Sequence, residues 1–340
     1  MIERFRREPA PALVDTAAVA TQAGAMGVFE KNARSFWLAS LFLPKAVAED
    51  AAAVYSFCRY VDDVADDAVC QTTARAELSR LESAIRTGDR ATPAVRTFLD
   101  TAERCDFPST TGLALIEGVA SDLNTVRVKD DDELSRYAYC VAGVVGEMMM
   151  GVLRVEDKTA RPYAVALGLA MQLTNICRDV REDALLNRVY LPQTLLHKYG
   201  LATDDVLTLT ATDESIRLVI DELLTMADTL YERALQGMSF IPFRSRVGIL
   251  IARRVYRAIG RKLQRAHGSN PFHGRTVVGP WGKAVQVILA LLDTCRPITW
   301  RWLGSSPTQR GVLPTQTPVW RVHDIDHNIR TQQTAAEVKI

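Results

Sequence analysis

A single, almost entirely α-helical domain is what the sequence predicts, and three observations predict it. Long proline-free intervals run from Lys45 to Thr92, Ser109 to Arg161, Tyr163 to Leu191, Gln193 to Ile241 and Phe243 to Asn270. Apolar residues recur at helical spacing, most plainly at Ile216, Val219, Ile220, Leu223, Ala227, Leu230, Tyr231 and Ala234, which is the period of one buried helix face. Strand-like alternation is scarce, and no Ser/Gly-rich linker or compositional shift divides the chain. About ten helices follow from the usual helix length.

Composition excludes several classes. Of 340 residues, 48% are hydrophobic and 24% charged, a globular balance that rules out disorder over the whole length. The 41 basic residues nearly cancel the 40 acidic ones, so no global field suits nucleic acid. Six scattered cysteines without a CxxC pair read as reduced thiols of a cytoplasmic protein, not as a disulfide or zinc framework. The longest strongly apolar runs, such as Ala284 to Leu292, fall far short of the roughly 20 residues that span a bilayer. Any membrane contact is therefore peripheral, from one side.

Along the chain, residues 1–24 lack a signal-type apolar stretch and read as a loosely ordered N-terminal segment. Residues 25–303 form the helical domain, and 304–340 a polar C-terminal tail. Ser109-Thr110-Thr111 after Pro108, and Thr212-Asp213, read as helix starts.

The informative helix runs from Tyr55 through Asp67. Tyr55, Arg59, Asp62 and Asp66 step by four, three and four and share a face, while Asp63 and Asp67 add a second acidic pair. An acidic run usually faces water. Here residues 51–61 are apolar or aromatic apart from Ser56 and Arg59, so the aspartates project from a mostly buried helix and call for a counterion. Gln172, Asn175, Asp179 and Asp183 repeat the logic at steps of three, four and four. The bland alternative is a satisfied polar network between core helices. Two such helices facing across a bundle offer only oxygen ligands, which select a hard cation such as Mg²⁺. Bridging Mg²⁺ would let two acidic walls hold an anionic diphosphate. Arg59, Arg178 and Arg188 beside the carboxylates supply forked donors for phosphate.

These residues resemble the squalene/phytoene synthase family of head-to-head prenyl synthases. Both acidic segments match its DxxxD pattern, at Asp62 to Asp66 and Asp179 to Asp183. The second sits in a long match from Gln172 through Asn187-Arg188-Val189-Tyr190-Leu191-Pro192. Asn32-Ala33-Arg34-Ser35-Phe36, Tyr137 to Gly146 and Ala252-Arg253-Arg254-Val255-Tyr256 follow in the family's order, over roughly residues 25 to 290. The resemblance is strongest to a bacterial phytoene synthase. It implies an isoprenoid synthase-type bundle with a central cavity, in which two geranylgeranyl diphosphates condense through a cyclopropyl diphosphate to phytoene. A C30 enzyme taking farnesyl diphosphate to presqualene diphosphate, dehydrosqualene or squalene is the alternative, with NADPH needed only for squalene. A non-catalytic metal-binding scaffold is the remote one.

By the same resemblance Asp62, Asp66, Asp179 and Asp183 hold Mg²⁺ or Mn²⁺, and Arg59, Arg178 and Arg188 grip diphosphate. Gln172 and Asn175 position substrate or metal, and Tyr55, Tyr137, Tyr190 and Tyr256 line the path of the carbocation. Ser35, Phe36, Val141 and Gly146 contact substrate. Apart from the resemblance, Arg275 and Lys283, near Tyr256 in sequence order, are placed to reach a diphosphate. The expected partners are prenyl diphosphates, with a monomer or weak homodimer as the assembly. Three positions depart from the pattern: Ala33 replaces a small polar residue, Arg181 a glycine, and Glu147 an apolar residue. Outside the motifs, Arg246, Arg253, Arg257, Arg261 and Arg265 form a basic row that reads as a solvated face, with docking on an anionic membrane next. His323 and His327 stand at i,i+4 in the tail, a weak transition-metal pattern.

Overall fold

The computed structural model describes residues 34–265, 271–273 and 275–294, without the side chains of Arg34, Ser35 and His273. The N-terminal segment, the tail, Asn32, Ala33, His323 and His327 lie outside the described residues, and so does the side chain of Ser35.

Helices dominate, as the periodicity predicts. In chain order they are α1 (Arg34–Ser40), α2 (Lys45–Asp66), α3 (Gln71–Thr87), α4 (Pro93–Cys105), α5 (Thr110–Ser121), α6 (Asp131–Ala138), α7 (Val144–Val152), α8 (Arg161–Arg178), α9 (Val180–Leu185), α10 (Gln193–Lys198), α11 (Thr203–Leu207), α12 (Asp213–Gln236), α13 (Phe243–Arg265) and α14 (Pro280–Thr294). That exceeds the ten expected, because short helices fill the connections. Both sequence-predicted starts hold: Ser109 precedes α5, and the Thr212 hydroxyl caps α12 by accepting from the Ser215 N–H, satisfying one of the helix's free donors.

The only strands among the described residues are two-residue segments, β1 (Val126–Arg127) and β2 (Arg188–Val189), paired in parallel. Between α6 and α7 lies a π-turn, Tyr139–Gly143, a local widening that periodicity alone does not reveal.

Helix α8 is the central post, with Val165, Ala166, Leu169, Ala170, Leu173 and Cys177 fully buried. It packs on α7, the π-turn, α12 and α13, while α2 packs on α3, α4, α5 and α7. Gly146 and Gly168 allow the closest backbone-to-backbone approaches among the described residues. A Cβ at Gly146 would lie 2.3 Å from the Ala164 carbonyl oxygen, and one at Gly168 2.2 Å from that of Ala142.

Only part of the basic row is the expected solvated face: Arg261 and Arg265 are exposed, while the other three arginines turn toward neighbouring elements. Arg253 is buried, donates to the Tyr231 carbonyl at 2.8 Å, and has its pKa lowered to about 10, chiefly by desolvation. Arg257 pairs with Asp228 and Glu232, and Arg246 donates to the Ile241 carbonyl. These three tie α13 to its neighbours. Apolar exposure is found instead on α14, where Trp281, Val285, Ile288 and Leu292 form one stripe. No helix among the described residues is long and apolar enough to cross a membrane.

Candidate active site

Between α2 and α8 lies a cavity of about 1250 Å³, mouth included. Its α2 wall is Ala51, Val54, Tyr55 and Cys58, and its α8 wall is Tyr163, Ala164, Leu167, Gly168 and Met171. Phe36 and Gly146 also line it, among other small and apolar residues. On each helix the acidic motif follows the lining residues toward the C-terminus. Asp62 lies roughly 16 Å beyond Ala51 at 1.5 Å per residue. The cavity is thus apolar along its length, with carboxylates where the two helices end.

At the first motif, Arg59 pairs with Asp63 at 2.5 Å. The face drawn from sequence put Asp62 and Asp66 foremost, but Asp63 is the most buried of the four aspartates, Asp62 is half-buried, and Asp66 is exposed at the helix end. The Arg59 guanidinium is penalised by burial, yet Asp63 and Asp62 hold its pKa above the ordinary arginine value. Arg188 reaches Asp66 at 3.4 Å.

The second motif corrects the expectation of one continuous helix. Helix α8 ends at Arg178, Asp179 leaves helical geometry, and α9 restarts at Val180. The Asp183 N–H still donates to the Asp179 carbonyl at 2.9 Å, so the two aspartates stay stacked across the break. Arg178, itself buried, donates to the Asp179 carboxylate from Nε at 2.7 Å and from Nη2 at 2.5 Å. Arg275 donates to the same carboxylate at 3.0 Å, so this arginine, distant in sequence, does reach the motif. Burial alone would raise the Asp179 pKa; the two guanidiniums outweigh it and hold the carboxyl below its usual range. Gln172 and Asn175 are buried beside these groups, and Gln172 Oε1 makes no hydrogen bond. A buried amide oxygen without a donor costs about 1–3 kcal/mol, which a bound cation or donor would recover.

Other expected residues are placed differently. Tyr137 and Tyr190 do not line the apolar cavity. Their rings stack at 4.8 Å, and both hydroxyls donate to Asp122, at 3.1 and 2.6 Å. Sequence reasoning missed Asp122, a buried carboxylate just after α5 with no local pattern to link it to tyrosines 15 and 68 residues away. Tyr256 is fully buried behind Phe36, ring centroids 5.1 Å apart. Val141 is buried in the π-turn, where a Cβ on Gly118 would meet it. Glu147, the departure after Gly146, accepts from Tyr139 and Arg161, both at 2.7 Å. Asn187 was also unforeseen: its carbonyl accepts from Arg127 at 2.8 Å, fixing the strand pair that carries Arg188. Asp122→Asn halves the acceptor capacity facing two tyrosines. It should lower turnover severalfold with a small change in melting temperature, measurable by assay and thermal denaturation.

No three His, Cys, Asp or Glu side chains among the described residues converge to hold an ion unaided. The donors are carboxylates and amides, spread over two helices and interleaved with guanidiniums. That set fits an ion shared with an anionic ligand and not a closed protein cage.

A model of the squalene/phytoene synthase family matches residues 29–282. The chain belongs to the squalene/phytoene synthase family. As a member it is a prenyltransferase, and its family is generally dependent on a divalent metal. It is 38% identical over 242 residues to the phytoene synthase of Cereibacter sphaeroides, covering 68% of each chain. To the phytoene synthase of Thermus thermophilus it is 35% identical, covering 78% of this chain and 90% of that one. Among solved structures, a dehydrosqualene synthase in complex with a ligand superposes with a TM-score of 0.73 at 27% identity, covering 82% of this chain and 98% of that one. The all-α synthase fold expected from sequence is the fold of this family.

Proposed function

We propose that this prenyltransferase condenses two geranylgeranyl diphosphates head to head, through a cyclopropyl diphosphate, to phytoene, releasing diphosphate. The observation that carries the reading is an apolar cavity between α2 and α8, the two helices at whose C-terminal ends the carboxylates and guanidiniums stand. C20 substrates are preferred to C15 because identity to phytoene synthases reaches 38% against 27% to the dehydrosqualene synthase. The small side chains lining the cavity suit the longer chains. No nicotinamide is then required.

Asp62, Asp66, Asp179 and Asp183 are the oxygens that would hold Mg²⁺, with Gln172 and Asn175 beside them. Bound Mg²⁺ would supply the positive charge that stabilises a departing diphosphate. Arg59, Arg188 and Arg275, now paired with the motif carboxylates, turn to phosphate oxygens when the carboxylates take the metal. Phe36 and Tyr55 present aromatic faces inside the cavity, and such a face steadies a desolvated cation by ~2 kcal/mol. The apolar walls keep water from the cation.

The metal–diphosphate part is tested by thermal denaturation. Mg²⁺ with inorganic diphosphate should stabilise the protein more than either alone, by about 2.7 kcal/mol at a hundredfold excess over Kd. Equal stabilisation by Mg²⁺ with and without diphosphate contradicts it.

The surface that would meet a membrane is the exposed apolar stripe of α14, because a hydrocarbon product needs an apolar phase to enter. Trp281→Ser with Ile288→Ser should reduce flotation with phospholipid vesicles.

A further inference from the structure

The cavity has a far end, and one residue outside it is held in a conformation that requires explanation. The motifs lie at the C-terminal ends of α2 and α8, so the lining residues farthest from them are Ala51 on α2 and Ala160 and Tyr163 at the start of α8. Between these runs the corner after α7, where Leu153 and Val155 line the cavity and Arg154 points outward, half exposed.

The corner is a Schellman ending. The Val155 N–H donates to the Met150 carbonyl and the Arg154 N–H to that of Gly151, both at 2.9 Å. Arg154 occupies the left-handed position, φ +59°, which glycine usually fills because it has no Cβ to clash. Strain at a non-glycine residue persists where the surroundings hold it. Here they do: Arg154 Nη1 donates to the Arg104 carbonyl at 2.9 Å and Nη2 to the Asp50 carboxylate at 3.0 Å. Asp50 is buried on α2, adjacent to the lining residue Ala51. It also accepts from Arg104 at 2.6 Å and from the Cys105 thiol at 3.2 Å. The side chain of Arg154 thus fastens the corner to α2 and α4 from outside.

We propose that Arg154 is a positioning residue that holds Leu153 and Val155 as the end wall of the cavity and so sets the length of prenyl chain it accepts. The proposal rests on the prenyl diphosphate reading above. Freed from its anchor, the corner moves outward and the cavity lengthens.

The test is equilibrium binding of unreactive thiolodiphosphate analogues with C15, C20 and C25 chains, in Mg²⁺, to wild type, Arg154→Gly, Arg154→Lys and Leu153→Ala. Arg154→Gly puts a residue suited to φ +59° at the corner and leaves Asp50 its bonds from Arg104 and Cys105, so the protein stays folded. The ratio of C25 to C20 affinity should rise about tenfold in Arg154→Gly and Leu153→Ala, the scale at which an apolar pocket discriminates a methylene or two. Arg154→Lys, which can still reach Asp50, should keep most of the wild-type ratio. An unchanged ratio in Arg154→Gly overturns the proposal, whatever Leu153→Ala does. Length-selective binding by a wild type that forms no hydrocarbon would overturn the reaction and leave the end wall standing. Failure to bind any of the three overturns both.

Discussion

Asp62→Ala should lower hydrocarbon formation by at least ~10²–10³-fold, the range seen when one preorganised electrostatic group is removed from an active site, with the melting temperature unchanged. The expectation rests on its place: half-buried, on the cavity side of α2, one turn beyond Arg59. Asp179→Ala is a different experiment. The Asp179 carboxylate is buried against Arg178 and Arg275, and removing it leaves two guanidiniums without their anion. Breaking a buried pair in this way costs about 3–5 kcal/mol, or on the order of 10 °C in a domain of this size. Loss of activity there mixes unfolding with lost chemistry. Acid acts in the same direction: the Asp179 pKa is depressed in the fold, so its contribution is full above the unfolded carboxyl's pKa and is lost as pH falls through the folded value. Full turnover by a folded Asp62→Ala protein contradicts the metal assignment.

Gly168→Ala should be the most damaging conservative change away from the charged groups. Its added Cβ would sit 2.2 Å from the Ala142 carbonyl oxygen and 2.7 Å from that residue's carbonyl carbon. These are backbone atoms of the π-turn, which cannot rotate away as a side-chain end could. Helix α8 must separate from the turn, at a cost of about 1–3 kcal/mol for overpacking. Gly168 and Ala142 both line the cavity, so the separation also reshapes the walls. A melting temperature lowered by several degrees together with reduced turnover is expected. Gly88→Ala is the control, because nothing lies within 4 Å of its Cβ position; its φ of +72° at the end of α3 still costs some stability, but no turnover. Wild-type stability and activity in Gly168→Ala would mean that the close approach is not required.

Much of this was legible in residue order. Helical spacing along α12 matches its buried set, from Ile216 to Ala234, because one face of that helix meets the core and the other meets water. The two acidic motifs were legible as oxygen-rich runs in apolar helices, and the cavity lies between those two helices. What escaped depends on contacts between distant segments. Nothing near Asp122 announces that two tyrosines converge on it, and nothing near Arg253 announces that this arginine is turned inward against α12. The break of α8 at Asp179 was hidden because a spacing of three, four and four reads as one helix, whereas the chain restarts to seat that carboxylate between two arginines. Arg154 carried no pattern at all; its meaning lies in a backbone angle.

The central claim is that the cavity joins two C20 diphosphates. Its most direct measurement is to give the purified protein Mg²⁺ with geranylgeranyl or farnesyl diphosphate, each with and without NADPH, and to identify the extracted hydrocarbon by mass. The account predicts a C40 hydrocarbon from geranylgeranyl diphosphate without NADPH. A C30 product formed only from farnesyl diphosphate, or neither hydrocarbon nor released diphosphate from both, would contradict it.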